Sequence, residues 1–208
     1  QVTLGENVGS QDQTSAAYGG FNHITFGTDD DIEITSVGKK QQLATLNNHL
    51  MMFYTGIART ADQVAASYSQ APSRNYDRLQ TMSNFVPRAV ELVEGRGPIQ
   101  EFGELLHESW KLKRGLSDVV SNSQIDEWYS TAREAGAVGG KLVGAGAGGM
   151  LVFFVSPDRQ RDVREALEGL VHVPFEFSKS GAEIIFQDTQ KRYDEVDVRP
   201  IKLWTENQ

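Results

Sequence analysis

From Phe21 to Phe26, and again from Ile32 to Val37, apolar and polar residues alternate, and Gly27-Thr-Asp-Asp-Asp31 lies between the two runs. A period of two broken by turn residues predicts a hairpin of half-buried strands. Leu50 to Tyr54 and Met150 to Val155 are short unbroken apolar runs, rich in aromatic and branched residues, and read as buried strands. Between these runs the period lengthens. Leu79, Met82, Phe85, Val86, Ala89, Val90 and Val93 predict a helix over 75–94 with Pro87 inside it as a candidate kink. Ile99, Phe102, Leu105, Leu106, Trp110 and Leu112 predict a second helix over 99–113. Ile125, Trp128, Tyr129 and Ala132 predict a third over 123–135, capped by Ser121 or Asn122 and stopped by Gly136. Thr60 reads as the cap of a helix over 61–69, and Asp12 or Ser10 as the cap of a short helix that ends at Gly19-Gly20. Pro157 fits the first turn of a helix over 158–169. His172 to Phe177 and Glu183 to Phe186 read as closing strands, and 188–208 as a charged tail anchored only by Trp204.

After residue 38 the order is therefore strand, helices, strand, helix, strand, strand. Helices on one side of a mostly antiparallel sheet make an α+β sandwich of the split βαβ, ferredoxin-like kind. A doubly wound sheet fits less well, because strands and helices do not alternate regularly.

Composition narrows the function classes. The chain has 208 residues, 39% hydrophobic and 23% charged, which is ordinary for a globular protein. Its net charge of −8 and lack of a basic block argue against non-specific nucleic-acid binding, which Lys and Arg carry. It has no cysteine, hence no disulfide framework and no thiolate zinc site, as fits a reducing cytoplasm. No stretch has membrane-spanning length and no signal peptide is visible, so no membrane partner is expected.

Candidate chemistry is concentrated in a few places. The eleven residues from Gly139 to Gly149 include six glycines and lead directly into the apolar run Met150–Val155. A glycine loop feeding a buried strand can bring backbone N–H groups close to a phosphate, or it can be a turn packed tightly for steric reasons. From the loop alone the two readings weigh about equally. Asp12 is either a helix cap or a general base or Mg²⁺ ligand, and local sequence favours the cap. Arg59 falls where a strand hands over to a helix, a good place for an anion or simply a surface position. Asp29, Asp30 and Asp31 lack the spacing of a calcium loop and read as a solvated turn. His107-Glu108 is only half of a zinc-protease motif, since position 111 is Lys, so no metal site is expected there.

Four stretches together resemble one family. Gly139-Gly-Lys-Leu-Val-Gly-Ala-Gly-Ala-Gly-Gly149 is similar to the third motif of the GHMP small-molecule kinases. Gly9-Ser-Gln-Asp-Gln-Thr-Ser-Ala-Ala-Tyr-Gly-Gly-Phe-Asn22 resembles the segment bearing the catalytic aspartate in the sugar kinases of that superfamily. Leu50-Met-Met-Phe-Tyr-Thr-Gly-Ile-Ala-Arg59 and Phe102-Gly-Glu-Leu-Leu-His-Glu-Ser-Trp-Lys-Leu-Lys113 are most similar to the subgroup acting on D-glycero-D-manno-heptose 7-phosphate. The likeness runs to about Phe186.

The resemblance implies an ATP- and Mg²⁺-dependent sugar kinase of the cytoplasm, phosphorylating the anomeric hydroxyl of a heptose 7-phosphate. It implies Asp12 as the residue that orients or deprotonates that hydroxyl, and Gln11, Gln13 and Arg59 as contacts to the sugar phosphate. It implies Gly144, Ala145, Gly146, Gly148 and Gly149 beside the nucleotide phosphates, leaves Lys141 without a role, and places no metal ligand in the chain. Ala147 replaces a frequent glycine, which matters only if φ is positive there. The family's main ATP-binding loop, of the Pro-x-x-x-Gly-Leu-Gly-Ser-Ser type, is not found, and the chain opens on Gln1. A fragment is therefore expected, with 1–38 ending an N-terminal domain, 39–187 forming the C-terminal domain and 188–208 an extension. Without the main phosphate cradle such a chain is expected to be inactive alone. A kinase for another sugar and a non-catalytic metabolite- or partner-binding domain stay open as alternatives, as does a homodimer.

Overall fold

The computed structural model describes residues 10–28, 31–58, 64–67 and 72–186. A short helix α1 (Gln11–Tyr18) leads into the hairpin β1 (Asn22–Phe26) and β2 (Ile32–Ser36), which pair antiparallel with Asn22 opposite Ser36. Helix α2 (Lys40–Asn48) and strand β3 (Leu50–Tyr54) follow, and residues 64–67 are helical. Three helices come next: α3 (Pro72–Val93), α4 (Gln100–Arg114) and α5 (Ser123–Glu134). Strands β4 (Ala137–Leu142) and β5 (Met150–Val155) are joined by a loop at 143–149. A 3₁₀ turn (Pro157–Arg159), helix α6 (Gln160–Ala166) and a two-residue strand β6 (Val171–His172) close the unit.

Strands β3 to β6 form one sheet in the order β4-β5-β3-β6, with every pair antiparallel. Numbered by sequence, that is the 2-3-1-4 order of a split βαβ sandwich, so the fold is α+β and ferredoxin-like as the element order predicts. Its two faces differ. Leu142, Leu151 and Phe53 lie in successive registers across the sheet and are fully buried against Trp110, Ile125, Tyr129 and Val163. Lys141, Val152 and Met52 stand in one row on the other face and are only half-buried. Alternation along a strand separates these sets, because successive side chains point to opposite faces.

Helix α4 packs along the edge strand β4, and glycine makes this possible. A Cβ on Gly139 would stand 1.9 Å from the carbonyl oxygen of Gly103 on α4. One on Gly103 would stand 2.8 Å from the Phe154 ring. Two glycines therefore face each other where helix and strand backbones nearly touch. Asn122 caps α5, its Oδ1 accepting the Ile125 N–H at 3.0 Å, one of the two caps expected from sequence. Helix α3 runs on through Pro87 without interruption, and Leu79 and Val86, expected to face inward, are exposed on it.

Several expectations are corrected. Residues 139–142 are strand, not loop, because the glycines there serve close helix–strand packing. Helix α2 carries only Leu43 and Leu46 as large apolar anchors in nine residues, too weak a period to be foreseen. Neither Ser10 nor Asp12 caps α1: Ser10 occupies the cap position with helical backbone angles and its side chain accepts nothing. The strand expected over 172–177 is cut to Val171–His172, and 183–186 form no strand. Instead, the segment around 178–182 lies along α1, with the Gly20 N–H donating to Ser178 O at 3.1 Å and the Ala182 N–H to Ala16 O at 2.9 Å. The helix expected over 158–169 begins as a 3₁₀ turn and ends at Ala166. The expected cap Thr60, much of the 61–69 helix and the tail 188–208 lie outside the described residues.

Candidate functional site

The loop between β4 and β5 is tied down from three sides. At its far end, the Thr55 N–H and the Thr55 Oγ1 hydroxyl both donate to Gly149 O at 2.9 Å, and the Gly149 N–H donates to Ile57 O at 3.0 Å. In the middle, the Ala147 N–H donates to Val120 O at 2.8 Å. At its start, Lys113 Nζ donates to Leu142 O at 3.1 Å and to Gly144 O at 2.5 Å. Packing is as tight as bonding: a Cβ on Gly148 would lie 2.4 Å from Ile57 O, and one on Gly146 2.8 Å from Val120 O.

These ties leave the N–H groups of Gly144, Ala145, Gly146 and Gly148 without a hydrogen-bond partner among the described residues. Four free donors in five residues are what a backbone cradle offers an anion, and burying them otherwise would be costly. Ala147 has φ +63°, making it the one non-glycine residue with positive φ among those described. The loop thus does require the left-handed region where glycine is usual, at a cost of roughly 1–2 kcal/mol for an L-residue.

The charge at the loop is positive. Lys113, only 8% exposed, sits in the last turn of α4. Burial, and then the nearby Lys141 ammonium, depress its pKa to about 8. Burial also lowers that of Lys141. This fixes a sign for stability against pH. The unfolded chain binds a proton at Lys113 up to its ordinary value of 10.5, while the folded chain gives it up near 8. Between these values the unfolded state holds more protons, so stability rises with pH, with a slope approaching about 1.4 kcal/mol per pH unit from this group. Lys141 acts in the same direction. Tyr129, pushed up to about 12 by burial, acts oppositely once pH passes its ordinary 10. Urea midpoints from pH 7.5 to 9.5 are therefore expected to rise for the native chain relative to Lys113→Met. Parallel curves for the two would refute the assignment.

Other residues singled out in the sequence are placed differently. Asp12 is exposed in the first turn of α1, its side chain bonded to no described residue. Gln11 and Gln13 are exposed on the same helix, and Gln11 lines a groove of about 320 Å³ with Ser15, His23, Val86 and Phe102. No hydrogen bond or ion pair among the described residues joins α1 to the glycine loop. Arg59 lies outside the described residues. His107 Nδ1 lies 2.8 Å from the Tyr129 hydroxyl with the rings stacked, and burial lowers its pKa. Among the described residues no group of three or more His, Asp or Glu could hold a metal ion. Sequence reasoning missed Lys113 and Thr55. Lys113 left a signal, since it continues the inward spacing of Leu106 and Trp110 and is a charge on an apolar face.

A split βαβ sheet whose second and third strands are joined by a glycine turn with free amides defines a class of α+β domain. Residues 89–171 match the family described as GHMP kinases C terminal, and the chain carries a GHMP kinase C-terminal domain. It is 30% identical over 186 residues to the D-glycero-alpha-D-manno-heptose 7-phosphate kinase of Campylobacter jejuni, a match covering 86% of this chain and 54% of that protein. It is 29% identical over 163 residues to the mevalonate kinase of Pyrococcus horikoshii, covering 76% of this chain and 45% of that one. Among solved structures, a D-glycero-D-manno-heptose 1-phosphate kinase from B. thetaiotaomicron shares the fold with a TM-score of 0.60 at 24% identity, covering 86% of this chain and 49% of its own. The chain spans about half the length of the curated relatives it matches. No helix among the described residues is long and apolar enough to cross a membrane.

Proposed function

We propose that this chain is part of a cytoplasmic ATP-dependent sugar kinase that phosphorylates the anomeric hydroxyl of a heptose 7-phosphate. Residues 1–38 would end an N-terminal domain, and 39–187 would form the C-terminal one. The observation that carries the reading is the 143–149 loop, pinned at three points with four amides left free beside the buried Lys113 and the half-buried Lys141. That arrangement suits the phosphates of a nucleotide.

In this reading the N–H groups of Gly144, Ala145, Gly146 and Gly148 hold phosphate oxygens, while Gly149 anchors the loop through its bonds to Thr55 and Ile57. Asp12 accepts the proton of the sugar hydroxyl as that oxygen attacks the γ-phosphorus in line, and ADP leaves with the broken P–O bond's electron pair. Gln11, Gln13 and Arg59 orient the sugar phosphate. Mg²⁺, when bound, neutralises charge on the transferring phosphate, and the acceptors for it would come largely from the nucleotide.

The heptose 7-phosphate substrate is favoured by the Campylobacter relative, and the mevalonate kinases among the relatives favour an alcohol acceptor of another kind as the second reading. ATP consumption by the whole protein of which this chain is part, with heptose 7-phosphate, galactose, fucose, mannose and mevalonate, separates these. Turnover confined to the heptose phosphate is expected. Turnover confined to another acceptor would replace the substrate, and no turnover with any acceptor would leave a binding domain in place of a kinase.

A further inference from the structure

We propose that Lys113 is the positioning residue of the glycine loop, its side chain setting the direction in which the loop's free amides point. The argument begins with the peptide plane. In a trans peptide the C=O and the following N–H point to opposite sides. Lys113 Nζ takes Gly144 O at 2.5 Å, so the Ala145 N–H in the same plane is turned away from α4. Gly144 has φ +73° and open space around its Cβ position, so sterics alone would let this peptide rotate. The next unpaired amides are oriented in part by other ties, through Ala147 to Val120 and Gly149 to Ile57. Among the described residues, only Lys113 hydrogen-bonds to the stretch from Gly144 to Gly146.

The residue type fits the task. The helix end and the strand end are separated by a gap that a long side chain must cross. An amine offers several donors and no acceptor, and it serves two carbonyls at once, Leu142 O through a buried bond and Gly144 O through a part-buried one. Val143 between them is already committed, its N–H donating to Met150 O at 2.9 Å. A buried cation in α4 without a carboxylate partner is otherwise hard to account for. Its neighbour Lys111, by contrast, is exposed and pairs with Glu108 at 3.0 Å.

The inference deepens the reading of the loop as a phosphate cradle, and the experiment separates the two. Amide exchange of the 208-residue chain is followed by mass spectrometry for the native form, Lys113→Met, Lys113→Arg and the surface control Lys111→Met. In Lys113→Met the bonded amides of Val143, Ala147 and Gly149, read from the peptide covering 142–149, are expected to exchange at least about tenfold faster, with the 150–155 strand unchanged. Lys113→Arg is expected to restore part of the protection, and Lys111→Met to change nothing. Unchanged loop exchange in a folded Lys113→Met chain would overturn the proposal. Should that variant not fold, the Lys113 side-chain protons of the native chain are read by NMR instead. Slowed exchange of those protons supports the tie, and free exchange refutes it. A separate arm adds Mg-ATP or inorganic pyrophosphate to the native chain. Slowed exchange at 144–148 supports the cradle, and no change there counts against the phosphate reading while leaving the positioning result standing.

Discussion

Asp12→Asn is expected to lower phosphoryl-transfer turnover by about 10²–10⁴-fold, the usual contribution of a positioned acid or base, in a form of the protein that turns over ATP. Folding is expected to survive almost untouched. The Asp12 side chain is exposed and bonded to no described residue, and the fold contains no cap for it to supply. The one structural loss is its favourable place in the first turn of α1, worth roughly 0.3–1 kcal/mol. Asparagine preserves shape and removes the charge and basicity together, so a fall in turnover with an unchanged thermal midpoint isolates the chemical role. Near-native turnover in Asp12→Asn would remove this residue from the mechanism and turn attention to the other polar groups of α1.

Gly139→Ala is expected to cost the fold about 3 kcal/mol or more, at the upper end of overpacking effects. The added methyl would stand 1.9 Å from Gly103 O, a backbone atom that cannot rotate aside. Relief requires α4 to move off the edge of β4. That motion would also open the contact between Gly103 and the Phe154 ring and loosen the reach of Lys113 to the loop. The expected observation is a large drop in the urea midpoint of Gly139→Ala, beside a small change for Gly169→Ala, where a Cβ meets nothing. Equal midpoints would show that α4 has slack that the structure does not contain.

Hydrophobic period made much of this architecture legible. The helices over 75–94, 99–113 and 123–135 and the strands at 50–54 and 150–155 were readable because each buries one face or both, and the burial rule writes that face into the sequence. Strand β4 was hidden because Gly139 and Gly140 are there to let backbones approach, and a glycine reads as loop when no neighbour is known. Helix α2 was hidden because two leucines suffice to anchor it. At the candidate site, the glycine loop was legible as a loop, but which of its amides are free was not. Which amides stay free depends on Thr55, Ile57, Lys113 and Val120, residues far apart in sequence that only the closed sheet brings together. Asp12 is singled out by family likeness alone, and nothing in the local packing marks it.

The seating of α1 has a consequence for the order in which the chain is assembled. The helix bearing Asp12 is made well before residues 178–182, whose backbone supplies bonds that hold it. A contact spanning most of the chain carries a high loop-closure cost and forms late. The sheet and the 143–149 turn can therefore be complete while α1 is still unattached. Synthesis arrested shortly before residue 178 would yield a protein with an intact core and an undocked first helix.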